Sequence, residues 1–119
     1  MTTTDLKGWE QLTLLDPSPL TNPIVDPSAS HAERFAAFHQ ANPHVFDNLA
    51  RLALDLRARG ASRIGIGMLF EVLRWQYALR TSGDDYRLNN NHRAFYARKL
   101  MADVPDLAGL FEVREQRSA

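Results

Sequence analysis

From Val45 to Leu56 the apolar positions Val45, Phe46, Leu49, Leu52, Ala53 and Leu56 return every three or four residues. That spacing puts them on one face of an α-helix, with Asp55 and Arg59 as an i,i+4 ion pair. Asn42-Pro43 predicts its start, as N-cap and first-turn proline, and Gly60 its end. Upstream, Ser30-His31-Ala32-Glu33 matches a capping box, so an earlier helix opens at Ser30, buries Phe35 and Phe38, and stops before Asn42. Downstream, a third helical pattern runs from Gly67 or Met68 to Leu79. Leu69, Val72 and Leu73 form its centre, while Met68, Phe70, Trp75, Tyr77 and Leu79 spread round most of its circumference. A helix apolar on nearly every side is expected to be the least exposed one.

Two segments break the helical rhythm. Arg63-Ile64-Gly65-Ile66-Gly67 alternates β-branched residues with glycines, and Phe111-Glu112-Val113-Arg114 alternates apolar with charged residues; both suit short extended elements. Between them lies a polar connection, Arg80 to Asn90, turning at Ser82-Gly83-Asp84-Asp85. An asparagine-capped helix then runs from Asn89 to about Asp103, where Pro105 prevents its extension. Its wheel places Ala94, Ala97, Leu100, Met101 and Val104 on an apolar stripe. Asn91, His92, Phe95, Arg98 and Lys99 fall opposite. Leu69, Val72, Leu73, Leu100 and Phe111 are expected to share one core.

The expected fold class is mostly α: a compact helical domain over residues 29–119, winged-helix-like in the order of its helices and short β elements. Two departures from that pattern stand out. The connection before the last helix exceeds the ~3–4-residue turn of a simple helix-turn-helix, and only one wing strand is visible. Residues 1–28 form a Pro-rich extended arm, since Pro17, Pro19, Pro23 and Pro27 forbid a long helix there. Trp9, Leu12, Leu14 and Leu15 make this arm too apolar for a solvated tail. They either pack on the body or engage a partner.

A chain of 119 residues suits a single domain. The absence of cysteine excludes disulfides, thiolate catalysis and Cys-ligated metals. No apolar run nears the ~18 residues of a membrane span. Met1-Thr2-Thr3-Thr4-Asp5 lacks the basic start and apolar stretch of a signal peptide, so a cytoplasmic location and no membrane partner are expected. Net charge is zero, yet unevenly spread. Asp5, Glu10, Asp16 and Asp26 face only Lys7 in the first thirty residues. Arg57, Arg59, Arg63, Arg74, Arg80, Arg87, Arg93, Arg98 and Lys99 face only Glu71, Asp84 and Asp85 further on. This asymmetry yields either one basic face or a basic middle neutralised by acidic ends.

Catalysis finds little support. His31, His39, His44 and His92 lack the i,i+4 spacing of a helical zinc pair, and Gly65 with Gly67 is no phosphate cradle. Glu71 and Arg74 are one helical turn apart and read as an ion pair. No catalytic residue, metal ligand or cofactor is therefore expected, and the chain is not read as an enzyme. Binding is better supported. Asn91, Arg93, Arg98 and Lys99, with Arg63, combine amides that can pair with adenine, guanidinium groups that can pair with guanine, and cations for phosphates. The leading expectation is a small regulatory protein on double-stranded DNA, reading it with helix 89–103, with a two-fold homodimer as the natural way to gain specificity. The rival is a non-enzymatic protein-interaction module that binds or inhibits a host protein, partly through Trp9, Leu12, Leu14 and Leu15. Zero net charge favours the rival. A contiguous positive patch across Arg63, Arg93, Arg98 and Lys99 would favour DNA. Pairing of those side chains with Asp103, Glu112 or Glu115 would favour a protein.

Taken together, Asn42-Pro43-His44-Val45, Glu71-Val72-Leu73-Arg74-Trp75, Leu88-Asn89-Asn90-Asn91, Tyr96-Ala97-Arg98-Lys99 and Phe111-Glu112-Val113-Arg114 resemble a pattern shared by small proteins encoded by bacteriophages and prophages. The resemblance spans about Phe35 to Arg114 and leaves out the arm. It implies work in a bacterial cytoplasm during phage infection. It carries no activity and no catalytic residues with it.

Overall fold

Ser30 starts the first helix by exchanging bonds with Glu33. Its hydroxyl accepts the Glu33 N–H at 3.1 Å, and the Glu33 carboxylate accepts the Ser30 N–H at 2.7 Å. Two otherwise free donors are thereby satisfied at the head of α1 (His31–Ala41). Pro43 lacks an N–H to continue that ladder but suits the first turn of α2 (Pro43–Ala58). Beyond it, Gly60 adopts φ 104°, a left-handed conformation that glycine takes without a Cβ clash. The structure, a computed structural model, describes residues 15–16, 18–80 and 89–112, without the side chains of 77–80.

The stretch read as extended, Arg63 to Gly67, contributes one bridge instead. Ile64 pairs in parallel with Phe111, and its N–H donates to the Leu110 carbonyl at 2.9 Å. The Gly65 carbonyl already accepts the Met68 N–H at 3.1 Å, so the chain turns into α3 (Ile66–Arg80) immediately afterwards. One residue is too short for a ladder. The described residues therefore contain no strand, and the β elements of the winged-helix order are not seen among them. Val113 and Arg114, like the Ser82–Asp85 turn, lie outside the described residues. The asparagine cap does form. The Asn89 side chain accepts the Asn91 N–H at 2.8 Å and opens a 3-10 turn, Asn90–His92, that leads into α4 (Arg93–Asp103). Val104 is extended ahead of Pro105, as a residue preceding proline prefers.

The chain is mostly helical, and the hub is α2. It packs against α1, α3 and α4 through Val45, Leu49, Leu52 and Ala53, all at most 2% exposed. This corrects the expectation for α3. Its Leu69, Phe70 and Leu73 are buried, but Met68 and Trp75 are 47% and 65% exposed. The physical reason is scale: so short a chain has too few neighbours to surround a helix. Leu69, Leu73, Leu100 and Phe111 do join one core, with Val72 at its edge.

The described part of the arm, up to Ser30, contains no helix, and it is part of that core. Leu15 and Leu20 are 7% exposed. Two buried amides hold its backbone. Asn48 accepts the Asp16 N–H at 2.9 Å and donates to the Asp16 carbonyl at 2.8 Å. Asn42 accepts the Thr21 N–H at 2.6 Å and donates to the Thr21 carbonyl at 2.7 Å, and also to the Phe38 carbonyl at 2.9 Å. Asn42 thus stands at the N-cap position without making a side-chain capping bond. Its amide is used on the arm. Among the described residues no helix is long and apolar enough to cross a membrane.

Candidate interaction surface

The five residues expected to contact DNA do not share one condition. Asn91, Arg93 and Arg63 are exposed. The end of the Arg93 side chain lies over the first turn of α3, where a Cβ on Gly67 would meet its Nη1 at 2.8 Å. Lys99 is paired with Asp103 at 2.9 Å and sits 5.7 Å from the Phe46 ring centroid. The Arg98 guanidinium lies 5.3 Å from the Phe95 centroid. Other cations of the basic middle are also engaged. Arg57 donates to the Asp106 and Ala108 carbonyls at 3.0 and 2.8 Å. Arg59 is paired with Asp55, and Arg74 bonds both Glu71 and the Asn90 side chain. Much of the Arg/Lys excess is therefore spent on internal contacts.

His92 and Phe95 depart from the wheel. Helix α4 buries Tyr96, Ala97 and Leu100 completely, and His92 is only 5% exposed. The buried face is thus widened from the Ala94–Met101 stripe toward the ring-bearing side. The cause is a cluster of rings on α1. Phe35 stacks on Phe95 at 5.1 Å, meets Tyr96 edge-on at 4.8 Å, and lies 5.8 Å from His92. Phe38 adds a contact to His92 at 4.9 Å. Ring pairs at these separations are favourable beyond the area they bury, and α4 makes them.

Burial pushes both His92 and His39 below the ordinary histidine value of 6.5, with His31 and Lys99, respectively, adding repulsion. Their Nδ1 atoms are buried, with no hydrogen-bond partner among the described residues. The folded state thus favours neutral rings. Above the unfolded value near 6.5 this costs nothing. As pH falls through it, the unfolded chain binds protons that the native one refuses, so stability drops until the depressed native values are reached. Urea midpoints should accordingly be lower at pH 5.5 than at 7.5, and His92→Phe should narrow the gap. Equal midpoints in the wild type would contradict the burial of these rings. Asp16, Asp26 and Glu33, lowered mainly by bonds from Ser18, Ser28 and Ser30, act only at more acid pH.

The feature not anticipated from sequence is a groove between α2 and α3. Its volume is about 310 Å³, and Leu52, Leu56, Met68, Leu69 and Val72 line it, with the Asp55–Arg59 pair at the rim. Met68, Val72 and Trp75 follow at i, i+4 and i+7, so one stripe of α3 carries the groove wall on to the exposed indole. An indole 65% exposed beside an apolar groove is unusual for a monomer surface. The available signal was the all-round apolar pattern of α3, which reads equally as full burial or as one face buried and one offered.

Of the arm residues expected either to pack on the body or to meet a partner, Leu15 takes the first course and not the second: it is buried in this chain's own core. Trp9, Leu12 and Leu14 lie outside the described residues. No three His, Asp or Glu side chains among the described residues group as metal ligands. No protein-family model, curated protein or solved structure matches this chain.

Proposed function

We propose that this chain is a non-enzymatic protein-interaction module that receives an apolar segment of a partner in the α2–α3 groove, with Trp75 as the anchor at its end. The carrying observation is the pairing of that open apolar groove with the exposed indole. Tryptophan in such a position is the residue type most often responsible for binding energy. The pairing of Lys99 with Asp103 supports the same reading, because it withdraws a cation from the nucleic-acid alternative. The bacteriophage resemblance makes a bacterial host protein the natural partner and the bacterial cytoplasm the place. Affinity capture from bacterial lysate, followed by identification and titration of the captured protein, tests this. Trp75→Ala should weaken the identified partner's binding at least tenfold, while Arg98→Ala/Lys99→Ala leaves it within a fewfold. Equal affinity for wild type and Trp75→Ala would remove the reading.

A second reading keeps DNA as the ligand, and one observation favours it: Arg63, Asn91 and Arg93 are all exposed. Here the winged-helix-like order would put helix 89–103 at the groove, and removing a cation that neutralises a phosphate would reduce the salt dependence of binding. An anisotropy titration with duplex at low salt is the check. Arg63→Ala/Arg93→Ala should weaken binding and flatten its salt slope. No binding at micromolar wild-type protein excludes this reading.

A further inference from the structure

We propose that the cleft between the arm, α1 and the 3-10 turn at Asn90–His92 binds a small monocarboxylate with a short branched body, either a free acid or the last residue of a chain. This site is separate from the α2–α3 groove and does not depend on it. Its volume is about 150 Å³.

Each polar wall is pinned and still has something to give. On the arm, Asn42 holds the Thr21 backbone, and Asn22 follows directly. On α1, Arg34 donates from Nε to the Ala29 carbonyl at 3.2 Å and from Nη2 to the Pro27 carbonyl at 2.8 Å. Its Nη1 makes no hydrogen bond among the described residues. On the turn, Asn89 accepts the Asn91 N–H through its side-chain oxygen at 2.8 Å, so its Nδ2 remains to donate. His92 adds an unmet polar group. It is 5% exposed, and its Nδ1 has no partner among the described residues, whereas buried polar atoms normally have one. Unspent donors and a buried imidazole thus line one cavity, which is the pattern of a binding site rather than of a packing gap.

Charge and size select the ligand. Arg34 is the charged side chain among the described residues lining the cleft, since burial holds His92 below its ordinary value. The acids beside it in sequence, Asp26 and Glu33, are bonded to Ser28 and Ser30. One positive charge suits a monoanion better than a dianion. A guanidinium has no acceptor, and Asn89 has spent its own, so both require an oxygen that only accepts. A carboxylate offers one oxygen to each, and such charge-assisted bonds are about twice as strong as neutral ones. Pro23, Val25 and Phe38 complete the lining and suit an apolar body. The volume equals that of about five waters at ~30 Å³ each, room for about six non-hydrogen atoms. Isobutyrate has that size and is the probe.

The full chain, isotope-labelled, is titrated with sodium isobutyrate at pH 7.5 and constant ionic strength, and read by NMR. Backbone signals of Asn22, Arg34 and Asn89 should move saturably, in the millimolar range or below. Isobutyramide has the same shape without the charge and should bind at least tenfold more weakly. Inorganic phosphate, which has no apolar body, should not displace isobutyrate. N-acetylvaline separates the two sources: tighter binding than isobutyrate points to a chain terminus, weaker binding to a free acid. Asn89→Asp keeps an acceptor for the Asn91 N–H, as a good N-cap residue, but replaces the donor with a like charge. It should weaken isobutyrate binding at least tenfold. Asn91→Asp adds the same charge outside the cleft and should stay within twofold of wild type. Circular dichroism checks that both variants are folded, and Asn22→Asp, at an exposed arm position, repeats the test away from the turn. The proposal is overturned if isobutyrate causes no saturable shift, if isobutyramide or phosphate binds as well, or if Asn89→Asp and Asn22→Asp both match wild type.

Discussion

Leu73→Ala is expected to lower the unfolding free energy by about 2–5 kcal/mol, the range for deleting a fully buried leucine side chain. Leu73 is 0% exposed and sits in the one core with Leu69, Phe70, Leu100 and Phe111. Its loss removes both the transfer contribution, about 1.5–3 kcal/mol for a buried leucine, and the packing around a cavity that the neighbouring rings cannot readily fill. Met68→Ala, seven residues before Trp75 on the outer stripe, should cost far less because Met68 is 47% exposed. Chemical denaturation of the two variants side by side checks the contrast. A melt shifted by only a degree or two for Leu73→Ala would show that the inner face of α3 is misassigned.

Asn42→Ala should be the other large effect, a loss of about 2–4 kcal/mol. The Asn42 amide accepts one N–H and donates to two carbonyls, joining the arm at Thr21 to the end of α1 at Phe38. Each buried polar group left without a partner costs about 1–3 kcal/mol. The total is held down because Thr21 is exposed, so water can replace part of what is removed. Asn42→Asp is the informative companion. A carboxylate can still accept the Thr21 N–H but cannot donate to either carbonyl. It should therefore recover only a minor part of the loss. If Asn42→Ala were within 0.5 kcal/mol of wild type, a surface-like effect, the arm would be resting on the body rather than bonded to it. Asn48→Ala, which frees Asp16 in the same way, should show a loss of the same sign.

How much was legible beforehand depends on how local the cause is. Ser30 and Glu33, Pro43, Gly60 and the Asn89 cap act within a few residues of themselves, and the helices begin and end where these residues imply. The Asn42 side chain, read as a cap, reaches Thr21 instead. The 3.6-residue spacing of Val45, Leu49, Leu52 and Leu56 likewise identifies an inner face without reference to anything else. Ile64 marks where local causes end. Its β-branched, glycine-flanked setting favours an extended conformation, but whether a strand follows depends on how many residues the facing segment at Phe111 can pair. The answer is one.

The candidate site was hidden for a related reason. In α3 the apolar residues spread round most of the circumference, so the narrow polar edge at Glu71 and Arg74 does not say how much of the apolar surface beside it stays free. That choice belongs to the neighbours: α2 and α4 cover Leu69, Phe70 and Leu73, and nothing described covers Trp75. The same holds for α4, where the ring of Phe35 on α1 meets His92 and Phe95 and widens the buried face from Ala97 and Leu100 of the aliphatic stripe toward the ring-bearing side. It also holds for the cations. Arg57 and Arg74 look like a basic surface in one dimension and are engaged in three, with the Asp106 and Ala108 carbonyls and the Asn90 amide brought to them by the fold. The pairs Arg59–Asp55 and Lys99–Asp103, by contrast, are one helical turn apart and local. Sequence by itself determined where this chain bends, caps and becomes helical, because backbone propensity and periodic burial are properties of a dozen residues at most. Only the tertiary structure decided which faces remain open, because exposure is set by what packs from elsewhere in the chain.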